Sequence, residues 1–142
     1  MTSEGQQWEV RAVTAAPNVP DNCFVVSLAE DNMGDGEYLI FQARLTEPSG
    51  QDRRLEMDSY CIIAKSGGVN YGGLEGVSVD TSEVILDFNE EAAEELSLEC
   101  RRVVLGVAGE VDVSLLSSGL KRVLRYGNPD RFPRFSSPFG FD

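Results

Sequence analysis

The sequence predicts an α+β fold: an antiparallel, meander-rich sheet of about seven strands with two helices, both in the C-terminal half. Three observations carry this expectation. Short runs rich in β-branched and aromatic residues fill most of the chain up to Phe88, each bounded by Gly, Pro, Asn or Asp. Apolar residues recur at helical spacing only after that point. The length of 142 residues suits one domain, and 42% hydrophobic with 25% charged residues is ordinary for a chain that buries one core.

In chain order, WEVRAVTA from Trp8, CFVVSLAE from Cys23 and YLIFQARL from Tyr38 read as strands. The pieces between them, APNVPDN and EDNMGDGE, supply the Pro, Asn, Asp and Gly that turns require, and they are short enough for antiparallel neighbours. TEPSGQDRR, residues 46–54, reads as a polar surface loop. SYCIIAKS from Ser59, VNYGGLEGVSV from Val69 and EVILDF from Glu83 form a three-stranded meander by pattern. Asn89 is placed to cap a helix whose first turn holds Glu90 and Glu91, where negative charge is favoured, and whose buried stripe is Ala92, Ala93 and Leu96. RRVVLGVAG from Arg101 is a further strand, and Asp112 then caps a second helix running from Val113 to Arg125. Val113, Leu116, Leu120, Val123 and Leu124 give that helix its apolar face, with Lys121, Arg122 and Arg125 near its carboxyl end. Residues 1–126 therefore read as a single α+β domain, and residues 127–142, with three prolines and four phenylalanines and neither period, as a Pro/Phe-rich tail. Those phenylalanines are expected to dock on the body or on a second copy.

The stretch VNYGGLEGV is the one place that invites a phosphate site. A phosphate-binding loop places Lys and then Ser or Thr after its last Gly and opens a helix. Here Leu74 follows Gly73, Val77 follows Gly76, the flanks are strand-like, and Glu75 repels a phosphate. Gly72, Gly73 and Gly76 are therefore read as structural glycines that bend the strand and aim Tyr71 and Glu75 out of plain alternation.

Other chemistry is argued against by composition. The chain has no histidine, so the usual general base near neutral pH and the commonest zinc ligand are missing, and neither CxxC nor HExxH spacing occurs. A carboxylate pair such as Asp58 with Glu75 is what chance produces in so acidic a chain. EDNMGDGE lacks the twelve-residue spacing of a calcium loop. No catalytic residue, metal or cofactor is expected. Cys23, Cys61 and Cys100, odd in number and far apart, read as reduced, buried small hydrophobes. With no apolar run long enough for a membrane span and no signal peptide pattern at the N-terminus, the expected location is cytoplasmic.

Twelve basic against 24 acidic residues give a net charge of −12, which opposes binding to nucleic acid or anionic membranes. The charge is uneven: residues 66–99 hold nine carboxylates and no Lys or Arg, whereas seven basic residues face four acidic ones from Arg101 onward. The plain reading is a solvated acidic surface that keeps the protein in solution; the sharper one is a docking face for a basic partner.

The run DSYCIIAKSGGVNYGGLEGVSVDTSEVILDFNEEAAEELSLE, with its strand-leading Tyr-Cys, Tyr-Gly-Gly element, hairpin and short Ala/Glu helix, resembles the bacterial immunity protein 10 family over roughly Met57 to Leu124. The resemblance implies a non-enzymatic antidote, encoded beside a secreted polymorphic toxin, that binds the toxin domain. A basic toxin domain, for example a nuclease, suits the charge of this chain. On that view Asp58, Glu75, Glu90, Glu91, Glu94 and Glu95 supply charge and Tyr60 and Tyr71 aromatic anchors. Two other classes stay open: a non-enzymatic adaptor or structural protein of a secretion locus that forms a homodimer through its tail, and a β-domain with an apolar pocket for a small ligand.

Overall fold

The computed structural model describes residues 6–33 and 35–136. Among them, ten strands run in the order β1 (Gln6–Val10), β2 (Ala12–Asn18), β3 (Cys23–Ala29), β4 (Tyr38–Arg44), β5 (Cys61–Ala64), β6 (Val69–Tyr71), β7 (Leu74–Val79), β8 (Glu83–Phe88), β9 (Arg102–Val107) and β10 (Arg134–Ser136). Three helices join them: α1 (Gly50–Arg54), α2 (Glu90–Glu95) and α3 (Val113–Leu124). The α+β class holds, but the strands form two five-stranded sheets, ordered β2-β3-β4-β5-β6 and β1-β9-β8-β7-β10. The first is antiparallel throughout; the second has a parallel pair at each edge, β1 on β9 and β10 on β7.

The seven expected strand segments are all present, and the larger total arises because two of them divide between the sheets and the tail adds one. WEVRAVTA divides at Arg11: Val10 belongs to the strand beside β9, while the Arg11 N–H already donates to the Ala29 carbonyl at 2.9 Å. VNYGGLEGVSV divides at Gly72 and Gly73. Gly72 takes φ +73°, a conformation that L side chains rarely adopt, and a Cβ on Gly73 would lie 2.5 Å from the Ala92 Cβ. The pairing of β7 with β8 is then irregular between Leu74 and Gly76, a bulge around Glu75. The glycines therefore form a corner between sheets, a sharper device than the bend expected within one.

One core is shared by both sheets and α3. Val26, Leu28, Phe41 and Ile62 come from one sheet, Val84, Leu86 and Leu105 from the other, and Leu116, Leu120 and Val123 from the helix. Full burial of each such side chain contributes about 1.5–3 kcal/mol. The predicted caps form: Asn89 accepts the Ala92 N–H at 2.8 Å and Asp112 the Leu115 N–H at 3.1 Å. The polar segment expected as a loop contains α1, held by a capping box in which the Ser49 hydroxyl accepts the Asp52 N–H and the Asp52 carboxylate accepts the Ser49 N–H. After α3 a 3-10 turn over Pro129–Arg131 leads into β10, and Phe135 packs against the core while Phe132 is exposed. Phe139 and Phe141 lie outside the described residues. The cysteines are less buried than expected: Cys23 and Cys61 are half-buried at the strand surface and Cys100 is exposed.

The outward faces of the two sheets differ in chemistry. The sheet of β1 and β7 to β10 turns Glu9, Glu83, Asp87, Arg102 and Arg134 outward, with Arg102 donating to Asp87 at 2.8 Å across the strands. The sheet of β2 to β6 turns out Thr14, Val25, Ser27, Ile40, Ile63 and Val69, and its one charged side chain is Arg44 at the end of β4.

Candidate functional site

The acidic residues gather at the corner between the sheets. The Asn89 N–H donates to the Gly73 carbonyl at 2.9 Å, so α2 starts beside that corner. From there Glu90, Glu91 and Glu94 point to solvent, and among the described residues none of them meets a cationic side chain. Glu95 accepts from Asn70 Nδ2 at 2.8 Å, which fixes the last turn of α2 against β6. Glu75, on the bulge that leaves the corner, is exposed and pairs with Arg101 at 3.4 Å. Both partners are more than half exposed, so this bridge adds little to stability. Glu94 and Glu95 occupy the carboxyl-terminal turn of α2, where negative charge is disfavoured, and that turn holds no basic residue.

Tyr71, on β6, is half-buried on the outward face of the β2 to β6 sheet and shares a hydrogen bond with the Cys61 thiol. Burial pushes the titration of both groups up, so each stays protonated at neutral pH. Asp58 is set apart. It precedes the bridge between Ser59 and Gly127, and its carbonyl accepts the Asn128 N–H at 2.9 Å. The cleft it lines, about 300 Å³, also holds Glu47 and Arg53 and is separate from α2.

Tyr60 corrects the expectation of an aromatic anchor: it is 0% exposed and lies in the core. Its hydroxyl donates to the Arg131 carbonyl at 2.9 Å and accepts the Leu74 N–H at 3.2 Å, tying β7 to the turn that precedes β10. Burial pushes its titration up to about 12. A strand-leading tyrosine has the same sequence signature whether it faces solvent or core, and the alternation of β5 settles the direction inward.

A cleft of about 460 Å³ closes one end of the β2 to β6 face. Asp21, Arg44, Asp52, Cys61, Tyr71 and Tyr126 are among its walls, and Arg44 pairs with Asp52 across it at 3.2 Å. Hydrogen bonds from Ser49, with the Arg44 charge adding to them, hold the Asp52 carboxyl below the usual carboxylate range. This cleft is polar, whereas a second one of about 580 Å³ is more apolar, with Trp8, Leu39, Leu96, Leu98 and Val103 among its walls. Among the described residues no group of three or more His, Cys, Asp or Glu could hold a metal ion, and no helix is long and apolar enough to cross a membrane.

The immunity protein 10 family model matches residues 9–112. The chain belongs to the immunity protein 10 family. The match takes in β2, β3 and β4, well before the Met57 at which the resemblance becomes legible by eye, and it ends at the cap of α3. Immunity protein 10 membership makes this an immunity protein, of a class that is generally non-enzymatic and binds a cognate toxin. No curated protein and no solved structure matches the chain.

Proposed function

We propose that this immunity protein neutralises its cognate toxin by covering the toxin's active site with the acidic surface around α2. The observation that supports this most is the set of exposed glutamates on a helix whose carboxyl-terminal turn carries two of them without a basic neighbour. Local stability disfavours that placement, and a basic partner turns it to advantage. Glu90, Glu91 and Glu94, with Glu75 beside them, act as stand-ins for the phosphates that a basic cleft, such as that of a nuclease, would hold. The net charge of −12 adds long-range attraction and speeds encounter.

The test is co-expression with the toxin domain encoded beside this chain, scored by survival, followed by association kinetics at two salt concentrations. Protection and an association rate that falls steeply with salt are expected. Replacing Glu90, Glu91, Glu94 and Glu95 with glutamine should slow association on the order of tenfold and change dissociation less. Absence of protection rejects the antidote reading. Protection with salt-independent association keeps it and rejects phosphate mimicry.

A further inference from the structure

The strands CFVVSLA, YLIFQAR and CIIA carry apolar residues on both alternating phases, Val25, Ile40 and Ile63 standing on the outward one beside Ser27 and Gln42, where an antiparallel sheet that only faces water is usually polar. The inward phase meets the core, with Val26, Phe41 and Ile62 fully buried. The outward phase lines up across the strands: Thr14, Ser27, Ile40, Ile63 and Val69 form one row, and Val25, Gln42, Cys61 and Tyr71 lie on the next. No carboxylate interrupts these rows, in a chain where 24 of 142 residues are acidic. The outward phase of the other sheet bears charge on nearly every strand, around Ile85 and Val104.

We infer that the outward face of the β2 to β6 sheet is the seat of the toxin, which meets it with an apolar surface bordered by lysine and arginine. This rests on the immunity reading and locates the centre of the contact, whereas α2 supplies its edge. The border chemistry argues for the partner's sign. Asp21 flanks the face at one end, and Glu30 and Glu37 flank the other. These carboxylates outnumber the neighbouring cations, of which Arg44 is paired with Asp52 and Lys65 donates to the neutral Asp35 carbonyl. A second copy of this chain would bring one acidic border against another, each molecule carrying a net charge of −12. Five strands about 4.8 Å apart, carrying two such rows about 6.8 Å apart, give a face on the order of 300 Å². A stable interface takes about 800 Å² per partner, so contact must continue past one edge of the sheet. The edge at β6 is where α2 packs, against the inward phase at Asn70, so a partner that covers the outward face reaches the acidic helix by wrapping around that edge. An apolar centre with a charged rim is the usual anatomy of a tight complex.

The experiment compares Ile40→Lys/Ile63→Lys and Val69→Arg with the unmodified chain for binding to the purified toxin domain. Val69 is 44% exposed, so the second variant tests the face even where the double variant disturbs folding. The double variant is expected to weaken binding on the order of 100-fold and the single about tenfold, mostly through faster dissociation that salt does not rescue. Circular dichroism spectra matching the unmodified chain accompany that result. Binding equal to the unmodified chain in both variants overturns the assignment of the face and leaves the immunity reading intact. Failure of the unmodified chain to bind the toxin overturns both. A dimer of the unmodified chain in light scattering that the variants dissociate identifies a second copy as the occupant and also overturns the assignment.

Discussion

Replacing Tyr60 with phenylalanine removes one oxygen and leaves the Leu74 N–H and the Arg131 carbonyl without it in the core. The expected loss is about 1–3 kcal/mol in chemical denaturation, because a buried donor stripped of its partner keeps its desolvation penalty. The same hydroxyl sets an alkaline limit. Its titration stands near 10 in the unfolded chain and about 12 in the folded one, so its contribution is complete below pH 10 and declines as pH rises through about 12. The decline amounts to about 2–3 kcal/mol across that window. Stability curves of the two proteins should therefore converge between pH 10 and about 12; parallel curves would mean that the hydroxyl is not held as described. Capping residues were legible at this scale, since Asn89 and Asp112 precede apolar periodicity and do what their short side chains allow. The direction of Tyr60 was not, because polarity at its tip is compatible with either side of a strand.

The corner at Gly72 and Gly73 decides how the elements meet. Alanine at position 73 would press on the Ala92 Cβ at 2.5 Å and on Asn70 Oδ1, pushing α2 away from β6. Gly73→Ala should cost about 1–3 kcal/mol, read from denaturation midpoints, and should loosen the bond from Asn70 to Glu95 enough to raise amide exchange in α2. Unchanged stability would show that the corner yields, and the acidic helix would then be less firmly placed than its contacts imply. Glycines of this kind announce a bend in the sequence, but not that the bend leads into a second sheet, because pairing partners are distant in the chain. The α1 helix escaped notice for a different reason. Its five residues are too few for an apolar period, and the usable signal was the Ser49 to Asp52 spacing of a capping box. The acidic helix, by contrast, was fully legible, down to the buried Ala92, Ala93 and Leu96.

For the molecule as a whole, local patterns located nearly every strand while the division into two sheets stayed hidden. β1 pairs in parallel with β9, Trp8 beside Leu105, and no feature of WEVRAVTA points to a partner so far along the chain. Composition exposed the acidic character of the surface. The carboxylate-free outward face of β2 to β6 needed the pairing registers, since apolar residues on both phases also fit a buried strand. Trp8, the single tryptophan, reports on the distant pairing. In stopped-flow refolding its fluorescence should become native in the slowest phase, on a timescale of milliseconds to seconds. Recovery within the dead time would place β1 on β9 early. That pairing also bears on biosynthesis: residues 6–10 leave the ribosome well before residues 102–107 and lack their β9 neighbour until those follow. During translation the β1 segment waits as an unpaired ribbon for the length of chain that separates the two strands.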